Sequence, residues 1–456
     1  MVDTLLLSRI QFGFTIGFHI LFPTLNLGLA LFLVIMEGLW LKTQKIVYLK
    51  IAKFWTKIFA LTFGMGVVSG IVLSYELGTN FGHFTNAVGG VLGSLFAYEV
   101  LSAFFLEAGF LGVMLFGWEK VGTKLHYAAT CLVMVGTAIS AFWIMSANSW
   151  MQTPAGFVIE KGKYVVDNWW AVIFNPSFIG RYLHMLLASY VTSAFVIAGV
   201  SAWYLLKQRH VEFAKKCLSF VIVAGLILVP IQIFLGDSVG LKVLKYQPLK
   251  TAAMEGVWET GPGKPLLLFA LPDQKAQKNR FEVAIPKGAS LINTHSFNGV
   301  LEGLKSVSPN NQPKVLPVFF TFRVMVGIGL LMLAVAAIGV LLLIRGKLYT
   351  NRLFLRLCTL IAPLGFLATI SGWLTAELGR QPWAVYQLMR TADAVSVIPV
   401  GHVVTSLILF IVVYGIVFSF YLYYFLKVIR KGPAKEPQEE EKSRLRDEKH
   451  LFQYMT

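Results

Sequence analysis

A handful of side chains in this chain stand out because apolar sequence surrounds them: His19, His184 and His402, Glu99, Glu107 and Glu377, and Met325. Ionisable groups in hydrocarbon are costly, so each one inside a span is a candidate for function. Imidazole and thioether are axial ligands of haem iron, and a His/Met pair gives a six-coordinate, electron-transferring centre. A single imidazole or a carboxylate leaves a coordination position open, as chemistry on oxygen requires. A carboxylate deeper in the membrane suits a proton relay. Each residue also has a plainer use. A lone intramembrane imidazole can bond a neighbouring carbonyl, and Met325 is one of 13 methionines, a residue that commonly fills core space. His402 is read as a packing histidine.

These residues need long apolar elements to hold them, and the composition supplies them. Of 456 residues, 56% are hydrophobic and only 14% charged, with a mean hydropathy of +0.67. Apolar runs repeatedly exceed the roughly 18 residues needed to cross a bilayer. Backbone groups in lipid must be satisfied internally, and continuous runs rather than alternating ones exclude a β-barrel. The expected fold is therefore an all-α integral membrane protein, a bundle of about nine transmembrane helices. Approximate spans are 11–40, 54–77, 93–118, 125–150, 181–206, 217–240, 318–344, 353–379 and 397–427. This divides the chain into helices one to six (1–240), an extracytoplasmic lobe (241–317), helices seven to nine (318–431) and a polar cytoplasmic tail (432–456). The N-terminus lacks a basic leader region, so no cleavable signal peptide is expected. Cys131, Cys217 and Cys358 are too scattered for a metal motif and are read as single thiols.

The net charge of +17 is unevenly placed. Lys42, Lys45, Lys50, Lys53 and Lys57 follow the first span. Lys120 and Lys124, then Lys207, Arg209, Lys215 and Lys216, then Arg345, Lys347 and Arg352, and finally Lys427, Arg430 and Lys431 mark alternate loops. The 78–92 loop has no Lys or Arg. By the positive-inside rule the N-terminus lies outside and the C-terminus in the cytoplasm. No basic folded domain exists to bind nucleic acid. At 1.5 Å per residue, His19 then lies about 12 Å below the outer surface and Met325 about 10 Å. On the same scale His184 and Glu99 lie roughly 5–9 Å in, and Glu377 only a few ångströms from its helix end. Ligand-type groups on five helices thus share one leaflet. Glu107 is the deeper exception. Paired histidines on two helices, as in quinol–cytochrome c reductase cytochromes, are absent, as is the histidine cluster of a haem–copper centre.

Five segments carry a family resemblance: SRIQFGFTIGFHILFP at 8–23, FAYEVLSAFFLEAGFLG at 96–112, GRYLHM at 180–185, GDSVGLKVLKYQPLKTAAMEGVWET at 236–260 and GWLTAELGRQPW at 372–383. In this order, on these helices, the chain resembles subunit I of the cytochrome bd-type quinol oxidases along nearly its whole length. The resemblance implies that His184 and Met325 ligate a low-spin haem b. It implies that His19 and Glu377 ligate two close high-spin haems, a haem b and a haem d (or a second haem b in its place), with Glu99 beside them. Which of the two serves which haem stays open. Trp373 would lie between haems. Arg323 and Arg380 would meet propionates or carboxylates. Lys250 and Glu255 match the quinol-oxidising positions, where a carboxylate can take a quinol proton while an ammonium steadies the oxyanion. Without the resemblance they read as an exposed pair on a loop. That loop lacks the long insertion some members carry.

The implied reaction is oxidation of quinol on the outside and reduction of O2 to water with cytoplasmic protons, so that charge separates without a pump. Glu107, Ser140 and Glu99 are the relay candidates. Glu107 and Glu99 lie eight residues, about 12 Å, apart along one helix. Implied partners are a second membrane subunit, small single-helix subunits and the bilayer, in a bacterial inner membrane. A secondary transporter would use the same carboxylates without colour. A haem sensor would keep the colour without turnover.

Overall fold

A computed structural model describes residues 3–434. Among them, nine helices are long and apolar enough to cross a membrane. They are α1 (Thr4–Thr43), α2 (Ile46–Asn80), α3 (Gly82–Phe116), α4 (Thr123–Gln152), α5 (Phe178–Leu206), α6 (Val211–Tyr246), α7 (Val315–Ile344), α8 (Arg352–Leu378) and α9 (Val400–Lys431). The all-α bundle expected from sequence is present. Its helices overrun the apolar stretches: α1 begins at Thr4 rather than 11, and α6 runs from Val211 to Tyr246 rather than from 217 to 240. Hydropathy marks only the part that suits hydrocarbon, whereas backbone hydrogen bonding continues beyond it. Most of the 432–456 tail lies outside the described residues.

The nine spans are built around α5, the most enclosed of them, which packs on α1, α4, α6 and α8. Lipid gives helices no hydrophobic reason to associate, so close approach relies on small residues. At the α1–α5 crossing a Cβ on Gly28 would stand 2.4 Å from Ser193 Cβ and 2.7 Å from the Ser189 carbonyl. Ser193 instead donates to the Leu25 carbonyl at 3.0 Å. Gly199 against Ala362, and Gly365 against Thr192, do the same between α5 and α8. By contrast α9 is peripheral, packing mainly on α1 and α2.

Two spans are interrupted where chemistry is expected, and a third carries a proline. In α3 a π-helical turn, Val100–Phe104, separates Glu99 from Glu107. Such turns expel a backbone hydrogen bond and recur at functional sites. In α8 the helix breaks at Ala362–Pro363 before resuming at Leu364. Pro230 lies inside α6, two residues before Gln232.

Because the helices alternate in direction, the ends of α2, α4, α6 and α8 and the starts of α1, α3, α5, α7 and α9 gather at one end of the bundle. This loop end carries a hairpin of β1 (Phe157–Glu160) and β2 (Lys163–Val166). Its turn residues Lys161 and Gly162 both have positive φ, 49° and 77°, as a tight primed turn demands. It also carries the 247–314 segment: a loop helix (Pro248–Glu255), then a hairpin of β3 (Leu266–Asp273) and β4 (Lys278–Ile285). At the same end Ser396 accepts the Gly82 amide at 2.7 Å and Thr4 donates to the Ile398 carbonyl at 3.2 Å.

Replacing Gly28 by Val should overpack the α1–α5 crossing and cost about 1–3 kcal/mol. A lower melting temperature in detergent is the expected result, and an unchanged one would mean the crossing adjusts freely.

Candidate active site at the loop end of the bundle

The loop helix is set locally. Pro248 supplies the fixed φ of a first helical position, and Gly256, with φ 69°, ends the helix in the left-handed conformation. Two of its charged side chains point inward, Lys250 and Glu255, each only 2% exposed. They are not the exposed loop pair that the residues alone suggested. Lys250 Nζ donates to Gln152 Oε1 at 2.5 Å and to Gln247 Oε1 at 2.7 Å. Burial, reinforced by the nearby Arg181 cation, holds the Lys250 ammonium well below the ordinary lysine range, although Glu377 opposes this. Glu255 Oε1 accepts from Asn293 at 3.1 Å, and its Oε2 lies 3.8 Å from Arg323. Burial raises the Glu255 carboxyl above the usual range, against the opposing pull of Asn293 and Arg323. Beside it opens a cavity of about 320 Å³, lined in part by Trp258, Lys264, Leu267 and Asn279.

Gln152, at the end of α4, joins this loop to the bundle. Its Oε1 takes the Lys250 proton donor, and its Nε2 donates to Glu377 Oε1 at 3.2 Å. Asn148, one turn earlier, donates to the same oxygen at 2.9 Å, and Arg380 pairs with Glu377 Oε2. A carboxylate has about four lone-pair sites, so roughly one remains on Oε2. Two buried arginines sit in the same electrostatic neighbourhood, Arg380 at 7% exposure and Arg181 at 8%. Among the described residues Arg380 Nε and Nη1 and Arg181 Nε have no hydrogen-bond partner. Buried donors of this kind call for an anionic acceptor. Arg181 escaped the sequence reading, although it lies within GRYLHM, one helical turn before His184.

The two imidazoles are placed differently. Ser69 donates to the Met65 carbonyl at 2.8 Å, so its oxygen accepts from His19 Nδ1 at 2.9 Å. That leaves His19 Nε2 with a free lone pair. His184 Nε2 lies 3.3 Å from Gln232 Nε2, while His184 Nδ1 and Gln232 Oε1 are buried without partners among the described residues. A glycine faces each ring: a Cβ on Gly70 or on Gly236 would come within 3.3 Å of Cε1 of His19 or His184. Met325 on α7 lies against Gly372 on α8, where a Cβ would meet Sδ at 2.7 Å.

Glu99 and Ser140 meet directly, with Ser140 Oγ donating at 2.7 Å. Glu107, 6% exposed, packs its Cγ against Gly136 of α4, the residue that leaves room for it. Arg323 is otherwise committed. Its guanidinium donates to the carbonyls of Leu267, Met254 and Phe319, stacks on the Phe319 ring and approaches Glu255. Its donors therefore hold the loop, and of the two partners expected for it, a propionate or a carboxylate, the one it approaches is the Glu255 carboxylate. Trp373 is half-buried. His402 is exposed on the outward face of α9, so it does not pack within this chain as read from sequence.

The sequence reading also passed over buried ionisable groups. Glu76 donates nothing to the surface: it is 0% exposed, accepts from Thr15 at 2.5 Å, and has Oε1 unpartnered. Glu37 and His126 form a buried pair at 2.6 Å. All three sit near the ends of their helices, Glu37 and Glu76 toward the last turns of α1 and α2 and His126 in the first turn of α4, where polar residues are easily taken for helix ends.

The fold and these groups define a class: a polytopic α-helical membrane protein with ligand-type side chains buried on separate helices beneath a structured loop. The model of the cytochrome bd terminal oxidase subunit I family matches residues 7–433, and the chain belongs to that family. It is 37% identical to cytochrome bd ubiquinol oxidase subunit 1 of Bacillus subtilis (strain 168), over 94% of each chain. It is 33% identical to cytochrome bd-II ubiquinol oxidase subunit 1 of Escherichia coli (strain K12), over 96% of this chain and 99% of the relative. The bd oxidase structure from Geobacillus thermodenitrificans superposes with a TM-score of 0.89 at 31% identity, covering 94% of this chain and 99% of that one. The chain is thus a multi-pass bacterial inner-membrane protein of a terminal oxidase family whose members are quinol:oxygen oxidoreductases.

Arg323→Gln should release the loop, because three backbone carbonyls lose a buried cationic donor. Limited proteolysis of the 256–285 segment is expected to accelerate several-fold. An unchanged cleavage rate would show that the loop is held by other contacts.

Proposed function

We propose that this chain is the haem-carrying subunit of a quinol oxidase that takes electrons from quinol at the loop end and reduces O2 to water. The loop end faces outside, and the Lys- and Arg-rich end faces the cytoplasm. The observation that carries this reading is the unbroken buried contact Lys250–Gln152–Glu377–Arg380, which joins a loop amine to the carboxylate and unpaired arginines inside the bundle. The residues present fit haem. His19 Nε2 has a free lone pair, His184 Nδ1 is orphaned, glycines flank both rings, and buried arginine donors await anionic groups.

His184 and Met325 would hold a low-spin haem b. His19 and Glu377 would hold two high-spin haems, one b and the other d or b, with Glu99 nearby. Bound haem supplies one-electron transfer and oxygen reduction. Arg380 and Arg181 would pair with propionates, and Trp373 would pack between macrocycles. At the loop Glu255 accepts a proton from a quinol hydroxyl, and Lys250 steadies the oxygen that is left negative. Burial serves both, since a raised carboxyl pKa makes Glu255 a stronger base and the dry site strengthens the Lys250 interaction. Two quinols supply the four electrons that one O2 needs, and their protons leave on the loop side. Four protons for water arrive from the other side, passing Glu107, then Ser140, which already donates to Glu99. Charge separates across the membrane without a pump.

The subunit designation in the relatives' names fits assembly with a second membrane subunit. The outward apolar faces of α2, α3 and α9, with Ile71, Leu101, Phe105, Ile416 and Phe420 exposed, offer surface for it, for small single-helix subunits or for lipid.

A reduced-minus-oxidised optical spectrum of the complex isolated from its membrane tests the reading, with three haem signals and quinol-dependent O2 uptake expected. A colourless preparation would favour a transporter, and colour without uptake a sensor. Glu107→Gln should lower O2 reduction about tenfold or more, within the range general acid–base groups contribute, and leave the haem spectrum intact. Loss of haem would make Glu107 structural instead.

The pH dependence of quinol oxidation follows from the loop pair. Glu255 works deprotonated, so activity should fall as pH drops through a value above the ordinary carboxylate range. Lys250 works protonated, so activity should fall again at a pH well below the ordinary lysine range. In Glu255→Gln the acid limb should vanish, and its survival would assign that limb to another group.

A further inference from the structure

At the end of the bundle away from the loop, three side chains from two helices close a buried hydrogen-bonded set that the reaction as described does not use. Glu37 of α1 is 1% exposed, His126 of α4 2% and Thr130 of α4 1%. Glu37 Oε1 lies 2.6 Å from His126 Nδ1, and Thr130 donates to Glu37 Oε2 at 2.7 Å. His126 Nε2 lies 3.2 Å from the Met114 carbonyl, and the Trp118 ring stacks over the imidazole with centroids 3.9 Å apart.

Donor and acceptor counting fixes where hydrogens must be. The Met114 carbonyl can only accept, and it is free to do so because α3 ends at Phe116 and leaves its last carbonyls without helical partners. His126 Nε2 therefore carries a hydrogen. The contact between Glu37 Oε1 and His126 Nδ1 then needs one more, on either atom. The pair thus holds a single mobile proton between a carboxylate and an imidazole, whichever atom owns it. An ordinary Glu–Lys bridge has no such ambiguity.

Its position gives that proton a destination. Along α4, His126, Thr130, Thr137 and Ser140 follow spacings of 4, 7 and 3, which keep them on one face of the helix. The same stretch of α4 carries Gly136, against which Glu107 packs, and Ser140 ends the row on Glu99. On α3, Met114 lies seven residues from Glu107, about 10 Å at 1.5 Å per residue. Water and hydroxyl groups bridge such a distance in about three or four hydrogen bonds. Other titratable groups near the pair are Tyr127 and Cys131 of α4, both within the field of Glu37. Further out, Lys53 of α2 lies 5.5 Å over Trp118 and 3.9 Å from Glu119, at the rim.

We propose that Glu37 and His126 are the intake of the proton path, holding a proton drawn from the solvent at this end and passing it along the α3–α4 seam to Glu107 and Glu99. This rests on the reading of Glu107 as a relay, and Trp118 with Lys53 would form the outer rim of the entry.

The test uses the intact complex in its membrane, with His126→Gln, Glu37→Gln and Glu107→Gln side by side. A glutamine at 126 can still donate to the Met114 carbonyl, so it keeps the helix contact while losing the ability to pass a proton. Steady-state O2 uptake is expected to fall tenfold or more in His126→Gln and Glu37→Gln, with an unchanged haem spectrum and an unchanged KM for quinol. The solvent deuterium isotope effect on turnover should rise, because proton delivery becomes limiting. Wild-type rates in His126→Gln beside a slow Glu107→Gln would overturn the intake and leave the pair as a pin between helices. Wild-type rates in all three would remove the Glu107 relay itself. Should Glu37→Gln fail to assemble, His126→Gln decides alone, and a slow rate with an unchanged isotope effect also overturns the proposal.

Discussion

The amide of Gln152 lies between a buried cation and a buried carboxylate, and its two ends match them in only one orientation. The oxygen faces Lys250 Nζ and Gln247 Nε2, and the nitrogen faces Glu377 Oε1 and the Ala376 carbonyl. Gln152 itself is fully buried. In a medium with no water to spare, each of these groups would be expensive without the next. The loop helix, the end of α4 and the end of α8 are consequently locked to one another by polar satisfaction rather than by apolar packing. The loop site and the interior of the bundle are parts of one hydrogen-bonded object.

That constraint explains the rest of the architecture. Polar side chains in lipid must find partners on neighbouring helices, so helices have to approach closely and in a fixed register. Glycines at Gly28, Gly199, Gly365 and Gly136 permit the approach. Arg323 acts as a second lock, spending its donors on Leu267, Met254 and Phe319 carbonyls and keeping the loop over α7. Among the described residues donors stay unpaired at Arg181 and Arg380, and His184 Nδ1 lacks a partner, at the positions where the proposed function puts haem. The buried polar atoms therefore divide into those paired within the protein and those left without a partner. The Glu37–His126 pair belongs to the first set and yet holds a proton whose owner is undecided.

Much of this was legible in the residues. Apolar runs marked all nine spans, because the free energy of placing a side chain in hydrocarbon depends on the residue itself more than on its neighbours. The cost of an ionisable group in lipid likewise singled out Glu99, Glu107, Glu377, His19 and His184 before any coordinates. What was missed lay at the edges: Glu37, Glu76 and His126 are near helix ends, where a polar residue reads as interface, and hydropathy cannot tell how far a helix continues. Arg181 was hidden for the same reason.

What the chain could not disclose by itself was pairing. Nothing in the sequence separates Arg323, spent on loop carbonyls, from Arg380, whose Nε and Nη1 lack partners among the described residues, since each is an arginine bordering apolar sequence. Lys250 and Glu255 read as a solvated pair until the loop folds back and buries them. His402 read as packed until α9 proved peripheral. Length, hydropathy and charge placement are properties of single residues summed along a line, and they fixed the class of protein and the number of spans. Burial, hydrogen-bond partners and the sharing of a proton depend on which helix faces which, and those were decided only when the glycine-lined crossings brought distant segments into contact.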